Sequence, residues 1–202
     1  MKTSNKITTL IVLVVATCLY VYFNNKEVIP TSAPEASSLA VFVDSADIVS
    51  FSYPKDFTVM ANITGSAWRN NALGGDLLAR MSIPRLYQPS TNFSEAIFTV
   101  GRSDESSDIE NCLIATNGEV ATGAVTINGV QFQKFNLGDA GAGNRYDTTS
   151  YRVVRNGHCV AVEYMVHTTN IANYTPDSGV KEYDSKKIST ILEAIAQSFH
   201  FM

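Results

Sequence analysis

Charge is scarce in this chain. Of 202 residues, 17% are Asp, Glu, Lys or Arg, against roughly 25% in an average soluble domain. From Leu39 onward, 12 Lys/Arg stand against 17 Asp/Glu, a net of −5 with no basic cluster. A phosphate backbone needs a basic surface to release its counterions, so nucleic-acid binding is excluded. Histidine is scarcer still: His158, His167 and His200 are all there is. No H-x-x-x-H or Cys/His cluster offers the three or four convergent ligands of zinc, and no metal or other cofactor is expected. His158 and His167 are nine apart, which on one strand turns them to opposite faces. There is no Gly-Lys-Ser/Thr phosphate loop, no G-x-S-x-G elbow and no C-x-x-C redox pair. Catalytic residues are therefore not assigned, and the chain is expected not to be an enzyme.

Long apolar runs are missing too, except at the start. Ile7–Phe23 reads ITTLIVLVVATCLYVYF, 17 residues without a charge. As a helix it spans roughly 25 Å, near the lower limit for a bilayer. Lys2 and Lys6 precede it, and Tyr20, Tyr22 and Phe23 form an aromatic edge. Positive charge in front keeps the N-terminus in the cytoplasm and sends the rest across. Residues 1–23 thus read first as an uncleaved anchor, with residues 7–23 the contact with the membrane. A cleaved signal peptide is open through Ala16 and Cys18, although the apolar run continues beyond that point. A lipobox ending at Cys18 and a pilin-like start are further versions. Thr17 suits the lipobox poorly, and the pilin start lacks its Gly and Glu. Residues 24–38 (NNKEVIPTSAPEASS) are a flexible spacer that cannot bury a core. The folded domain is expected over 39–202, outside the cytoplasm in the periplasm or at the cell surface.

Within that domain strand and turn signals dominate. Val49, Phe51 and Tyr53 alternate with serines, break at Pro54-Lys55-Asp56 and resume at Phe57-Thr58-Val59. Leu77, Ala79, Met81 and Ile83 alternate again, and Ala96–Val100 is a short apolar strand ended by Gly101. Asn128-Gly129 and Asn156-Gly157 each separate two strand-like runs, and both residue types tolerate positive φ, so each pair predicts a tight antiparallel hairpin. Cys159–Val166 is apolar on both faces apart from Glu163, the mark of a central, doubly covered strand. Ser107 and Glu110 form a capping box for a helix over Ser107–Ala115 that Gly118 is placed to end. Ile188, Ile191, Leu192, Ile195 and Phe199 share one face of a second helix over Ser185–Ser198. The fold class is α+β: an antiparallel sheet flanked by helices, preceded by one N-terminal transmembrane helix.

The unit SFSYPKDFTV, a middle hairpin and a closing helix that ends Ile-Ala-Gln-Ser-Phe-His-Phe resemble the Mog1/PsbP-like α/β/α sandwich, found in small exported bacterial proteins and photosystem accessory proteins. The resemblance implies binding and assembly roles and carries no catalytic residues. It does not extend to the cysteine pair or to the glycine-rich loop.

Two features are specific enough to name as sites. Cys112 and Cys159 are the cysteines outside the apolar segment, and in an oxidising compartment such a pair is expected to be a disulfide. It would tie the first helix to the central strand at a chain-entropy gain of roughly 4 kcal/mol. Gly138-Asp139-Ala140-Gly141-Ala142-Gly143-Asn144-Arg145 is the second. Its glycines would let backbone amides approach a ligand, with Asp139 beside them and Arg145 as an anion clamp. A plain hairpin loop is the competing reading. The acidic run Asp104, Glu105, Asp108, Glu110 lacks the spacing of a calcium loop and reads as a solvated helix N-terminus. The function expected is a membrane-anchored extracytoplasmic binding or assembly domain with a protein partner. The alternative is a hydrolase or small-ligand enzyme built on Gly138–Arg145.

Overall fold

Side chains alternating with period two build most of this fold. The computed structural model describes residues 38–202 apart from 47, 64–74 and 117. The apolar segment 7–23, and the spacer up to residue 37, lie outside the described residues. Among the described residues no helix is long and apolar enough to cross a membrane.

Two antiparallel sheets carry the chain. The smaller contains β1 (Leu39–Val43), β2 (Val49–Pro54) and β10 (His200–Phe201), in the order β1-β2-β10. The larger contains β3 (Thr58–Ile63), β4 (Asp76–Pro84), β5 (Phe93–Ser103), β6 (Val120–Ile127), β7 (Val130–Gly141), β8 (Asn144–Arg155) and β9 (His158–Thr169). Its order is β3-β4-β5-β9-β8-β7-β6. Two α-helices complete the described secondary structure besides short 3-10 turns: α1 (Ser106–Asn111) and α2 (Ser185–Ser198).

β9 is the strand the sequence marks most plainly. It lies between β5 and β8, so both edges are hydrogen-bonded. Val160, Val162, Tyr164 and Val166 join the main core, while Cys159 and Ala161 join a smaller cluster with Leu77 and Cys112. Both Asn-Gly pairs turn as expected. Asn128 and Gly129 have φ of 46° and 81°, Asn156 and Gly157 have 51° and 75°, and they close the β6–β7 and β8–β9 hairpins.

The main core fills the space between one face of the large sheet, α2 and the small sheet. Phe51 meets Phe42 and Phe98 with ring centroids 5.0 and 5.1 Å apart, and Phe132 meets Phe199 edge-on at 6.0 Å. α2 begins where Asp184 accepts a hydrogen bond from the Lys187 amide at 2.9 Å, a side-chain N-cap. It buries Ile188, Leu192, Ile195 and Ala196, each large side chain stabilising by roughly 1.5–3 kcal/mol.

Three expectations need correcting. The strand pieces either side of Pro54-Lys55-Asp56 are not one interrupted strand, because β2 belongs to the small sheet and β3 to the large one. The turn closed by the Phe57 amide on the Pro54 carbonyl, at 3.0 Å, carries the chain between sheets. β5 does not stop at Gly101: partners on both sides, Leu77 and Ala161, carry the ladder through the glycine to Ser103. The Ser107–Glu110 capping box does not form either. α1 is capped at Glu105 without a side-chain bond and covers six residues. Ser103 donates to the buried Asp108 carboxylate at 2.6 Å and accepts from the Glu105 amide at 3.3 Å, fixing the helix start from the strand side. The helix ends at Asn111, just before the cysteine fastened to β9, and Gly118 (φ 83°) lies in a later turn.

Candidate functional site

The β7–β8 hairpin decides what the glycine-rich loop is. β7 and β8 pair from Gln133–Arg152 out to Gly141–Asn144, leaving Ala142 and Gly143 as the turn with φ of 49° and 78°. A non-glycine residue at positive φ is uncommon, and Ala142 is such a residue. The turn is pinned from outside: the Asn170 amide and the Asn173 side-chain amide donate to the Gly143 carbonyl at 2.8 and 3.2 Å. A Cβ at Gly143 would overlap the Asn173 amide. The loop is therefore a tight, braced hairpin end.

An open cleft of about 560 Å³ lies against that end. Its walls include Gly141, Gly143, Asn144, Arg145 and Asp147 of the hairpin, Thr168 and Thr169 at the end of β9, and Glu182 and Tyr183 before α2. Asn92 braces the two sides. It is 8% exposed, donates to the Thr169 carbonyl at 2.8 Å and accepts from the Tyr183 amide at 2.9 Å. The Tyr183 ring packs on Phe93 at 5.9 Å.

Arg145 does not reach out as a free anion clamp. Its Nε and Nη2 donate to the two carboxylate oxygens of Asp147, two residues along the same face, at 2.7 and 2.9 Å. That pairing holds the guanidinium in its charged form. Burial, and then the nearby Asp147 charge, raises the Tyr183 phenol, so its hydroxyl stays protonated beside the pair. Asp139 turns away: in register it opposes Tyr146, and its carboxylate accepts from the Ala140 amide at 2.8 Å. Gly138 opposes Asp147, and a Cβ there would make only ordinary van der Waals contact with that carboxylate. Of the five residues expected to form a ligand loop, Gly141, Gly143 and Arg145 line the cleft while Gly138 and Asp139 do not. Asp147, Glu182, Tyr183 and Asn92 join them without any local motif. The single sequence cue is that Asp147 follows Arg145 at the strand spacing of two, which puts both on one face.

Two further polar groups are structural fasteners. On the core side, Tyr164 donates to Glu193 of α2 at 2.7 Å, the Tyr151 hydroxyl lies 2.8 Å from both Glu193 oxygens, and Lys134 stands at 3.4 Å. Burial opposes ionisation of Glu193, but the Tyr164 and Tyr151 bonds and the Lys134 charge outweigh it and hold the carboxyl below its usual range. The Tyr164 phenol is pushed up to about 12, first by burial, and Tyr151 is raised further. On the opposite face Arg152, fully buried, forms an ion pair with Glu119, donates to Ser150 Oγ at 2.9 Å and covers the Phe135 ring at 4.3 Å.

Cys112 and Cys159 are joined in a disulfide with Cα atoms 5.6 Å apart, both fully buried. The bond ties the residue after α1 to the start of β9. The histidines stand apart. His200 shares a 2.9 Å hydrogen bond with Ser50, and His167 stacks on Tyr146 at 4.5 Å while donating to Asn144. Among the described residues no three His, Cys, Asp or Glu side chains come together as metal ligands.

No protein-family model matches this chain, and no curated protein matches it in sequence. Solved structures do show likeness. Cyanobacterial PsbP (CyanoP) from Synechocystis sp. PCC 6803 is 12% identical, with a TM-score of 0.41 over 84% of this chain and 96% of that one. A protein from Bacteroides thetaiotaomicron VPI-5482 is 12% identical with a TM-score of 0.42, and the match covers 80% of this chain and 48% of that one. LpqN, involved in cell envelope biogenesis of Mycobacterium tuberculosis, is 10% identical with a TM-score of 0.30, covering 84% of this chain and 87% of that one. At these scores the likeness is one of outline.

Proposed function

We propose that this chain is a non-catalytic binding domain held outside the cytoplasm, working through the cleft at the β7–β8 hairpin end. One observation carries the reading. The cleft gathers a guanidinium, two carboxylates, a phenol and two threonines, but among the described residues no His or Cys lines it. A Thr hydroxyl is a weak nucleophile until a neighbouring base takes its proton. Both carboxylate oxygens of Asp147 already accept hydrogen bonds from Arg145. Such walls suit holding a ligand better than breaking one. Location outside the cytoplasm is supported by the buried disulfide, a bond that persists in oxidising compartments, and by the basic-then-apolar N-terminus.

The test is turnover. The full-length protein and its Arg145→Gln and Asp147→Asn variants are assayed with p-nitrophenyl acetate, p-nitrophenyl phosphate and p-nitrophenyl glucoside. Equal background rates in all three proteins are expected. A wild-type rate about a hundred-fold or more above either variant would mean the cleft does chemistry, since that is the scale on which a positioned acid or base acts.

A further inference from the structure

Within the binding reading, on which this inference rests, we propose that the cleft takes a neutral, hydroxyl-rich ligand: a sugar ring of a glycan. Charge narrows the choice first. Arg145 brings one positive charge, Asp147 and Glu182 two negative ones. A phosphate or carboxylate ligand would approach a guanidinium already engaged on both Asp147 oxygens, with two carboxylates repelling it. An organic cation would meet that guanidinium. A ligand without charge avoids both penalties.

The pair itself supplies the recognition chemistry. A guanidinium has five N–H donors and a carboxylate about four acceptor sites. The Arg145–Asp147 fork uses two of each, which leaves donors and acceptors side by side at fixed spacing. A vicinal diol matches that arrangement, because each hydroxyl both donates and accepts. It can give its protons to Asp147 and take N–H bonds from Arg145 without breaking the ion pair. Hydrogen bonds to charged groups are the stronger kind.

Tyr183 adds the second half of a sugar site. Its ring, packed on Phe93, offers an apolar surface for the C–H face of a pyranose, and its protonated hydroxyl lies beside the polar pair. Thr168, Thr169 and Asn144 extend the hydrogen-bonding wall. The site is also held ready before binding. Asn92 fastens Tyr183 to β9, and Asn170 and Asn173 fix the hairpin turn, so little ordering remains to be done when the ligand arrives. The cleft's volume falls within the roughly 300–1,000 Å³ of small-molecule sites, and its open side suits the end of a longer glycan.

The experiment is saturation-transfer NMR on the full-length chain in a sugar-free zwitterionic detergent. The probes are maltose, cellobiose, lactose and N,N′-diacetylchitobiose, with acetate and choline as charged comparators. At least one disaccharide should take up saturation. Its apparent affinity should fall about ten-fold or more in Asp147→Asn and Tyr183→Ala, the loss of one charged hydrogen bond or of the ring wall. Arg145→Gln, whose side chain is largely exposed and safe to alter, should show the same fall with an unchanged melting temperature. Three results would overturn the proposal: no disaccharide responding, a sugar signal unchanged in all three variants, or acetate or choline responding where the sugars do not. In the last case the cleft still binds and only the ligand class is wrong, whereas failure of the binding reading shows separately as turnover in the p-nitrophenyl assays.

Discussion

Single residues here divide into fasteners and cleft walls, and the two respond differently to pH. Glu193 is a fastener. Its carboxyl is held below the usual range, so its contribution is complete at neutral pH and is lost as pH falls through the lowered value. Glu193→Gln should therefore lower the melting temperature at pH 7, with the deficit shrinking as pH drops below about 4. A deficit of equal size at both pH values would mean the charge plays no part. Tyr164 works at the other end. An unfolded tyrosine loses its proton near 10, but here that waits until about 12, so stability falls between those values as pH rises. Alkaline absorbance titration should show late-ionising tyrosines, fewer of them in Tyr164→Phe. What the sequence revealed at this scale was chemistry that repeats in any context. Cys112 and Cys159 were legible because paired thiols in an oxidising space have one common fate. Arg145 was singled out as an anion clamp, but its engagement by Asp147 was not legible, because a Gly-rich setting suggested a free guanidinium. Tyr183 and Asn92 are remote from the hairpin in sequence and meet it only through tertiary register, which no local pattern encodes.

Among elements, α1 and the three tight hairpins that join β6 through β9 are the most instructive. Asn128-Gly129 and Asn156-Gly157 were readable because residues that tolerate positive φ sat between two strand-like runs. Ala142-Gly143 has the same backbone but carries alanine at its first position, so a hairpin loop was readable over Gly138–Arg145 while its two turn residues were not. Gly143→Ala should be costly. The new Cβ meets the Asn173 amide, and an L-residue in the left-handed region costs roughly 1–2 kcal/mol. Chemical denaturation measures this, and an unchanged midpoint would mean the turn can relax. α1 was overestimated in length because propensity and capping chemistry at Ser107 and Glu110 agreed with each other. Tertiary demands from Ser103 and Cys112 overrode them. Cys112→Ser should destabilise the fold by roughly 2–5 kcal/mol, read as a loss in denaturation midpoint that reducing agent reproduces in the wild type. α2, by contrast, was predicted to its ends. Its stripe is long, its face is fully used, and Leu192→Ala should cost about 2–5 kcal/mol by opening a cavity in the main core.

At the scale of the molecule, alternation told of an antiparallel α+β fold but not of its division into two sheets. Pattern records which face of a strand is buried and is silent about which neighbour buries it, so β2 and β3 looked like one strand. The same silence covers the cleft, which exists because the far end of the large sheet is met by the segment leading into α2. Placing that cleft outside the cytoplasm is the claim on which the rest hangs, since a buried disulfide and an environment of glycans both belong there. It can be tested in living cells by adding a membrane-permeant alkylating agent before lysis and mapping the peptides without reductant. The account predicts Cys112 and Cys159 linked to each other in the full-length protein at the moment of trapping. Both thiols alkylated in the native chain would contradict it.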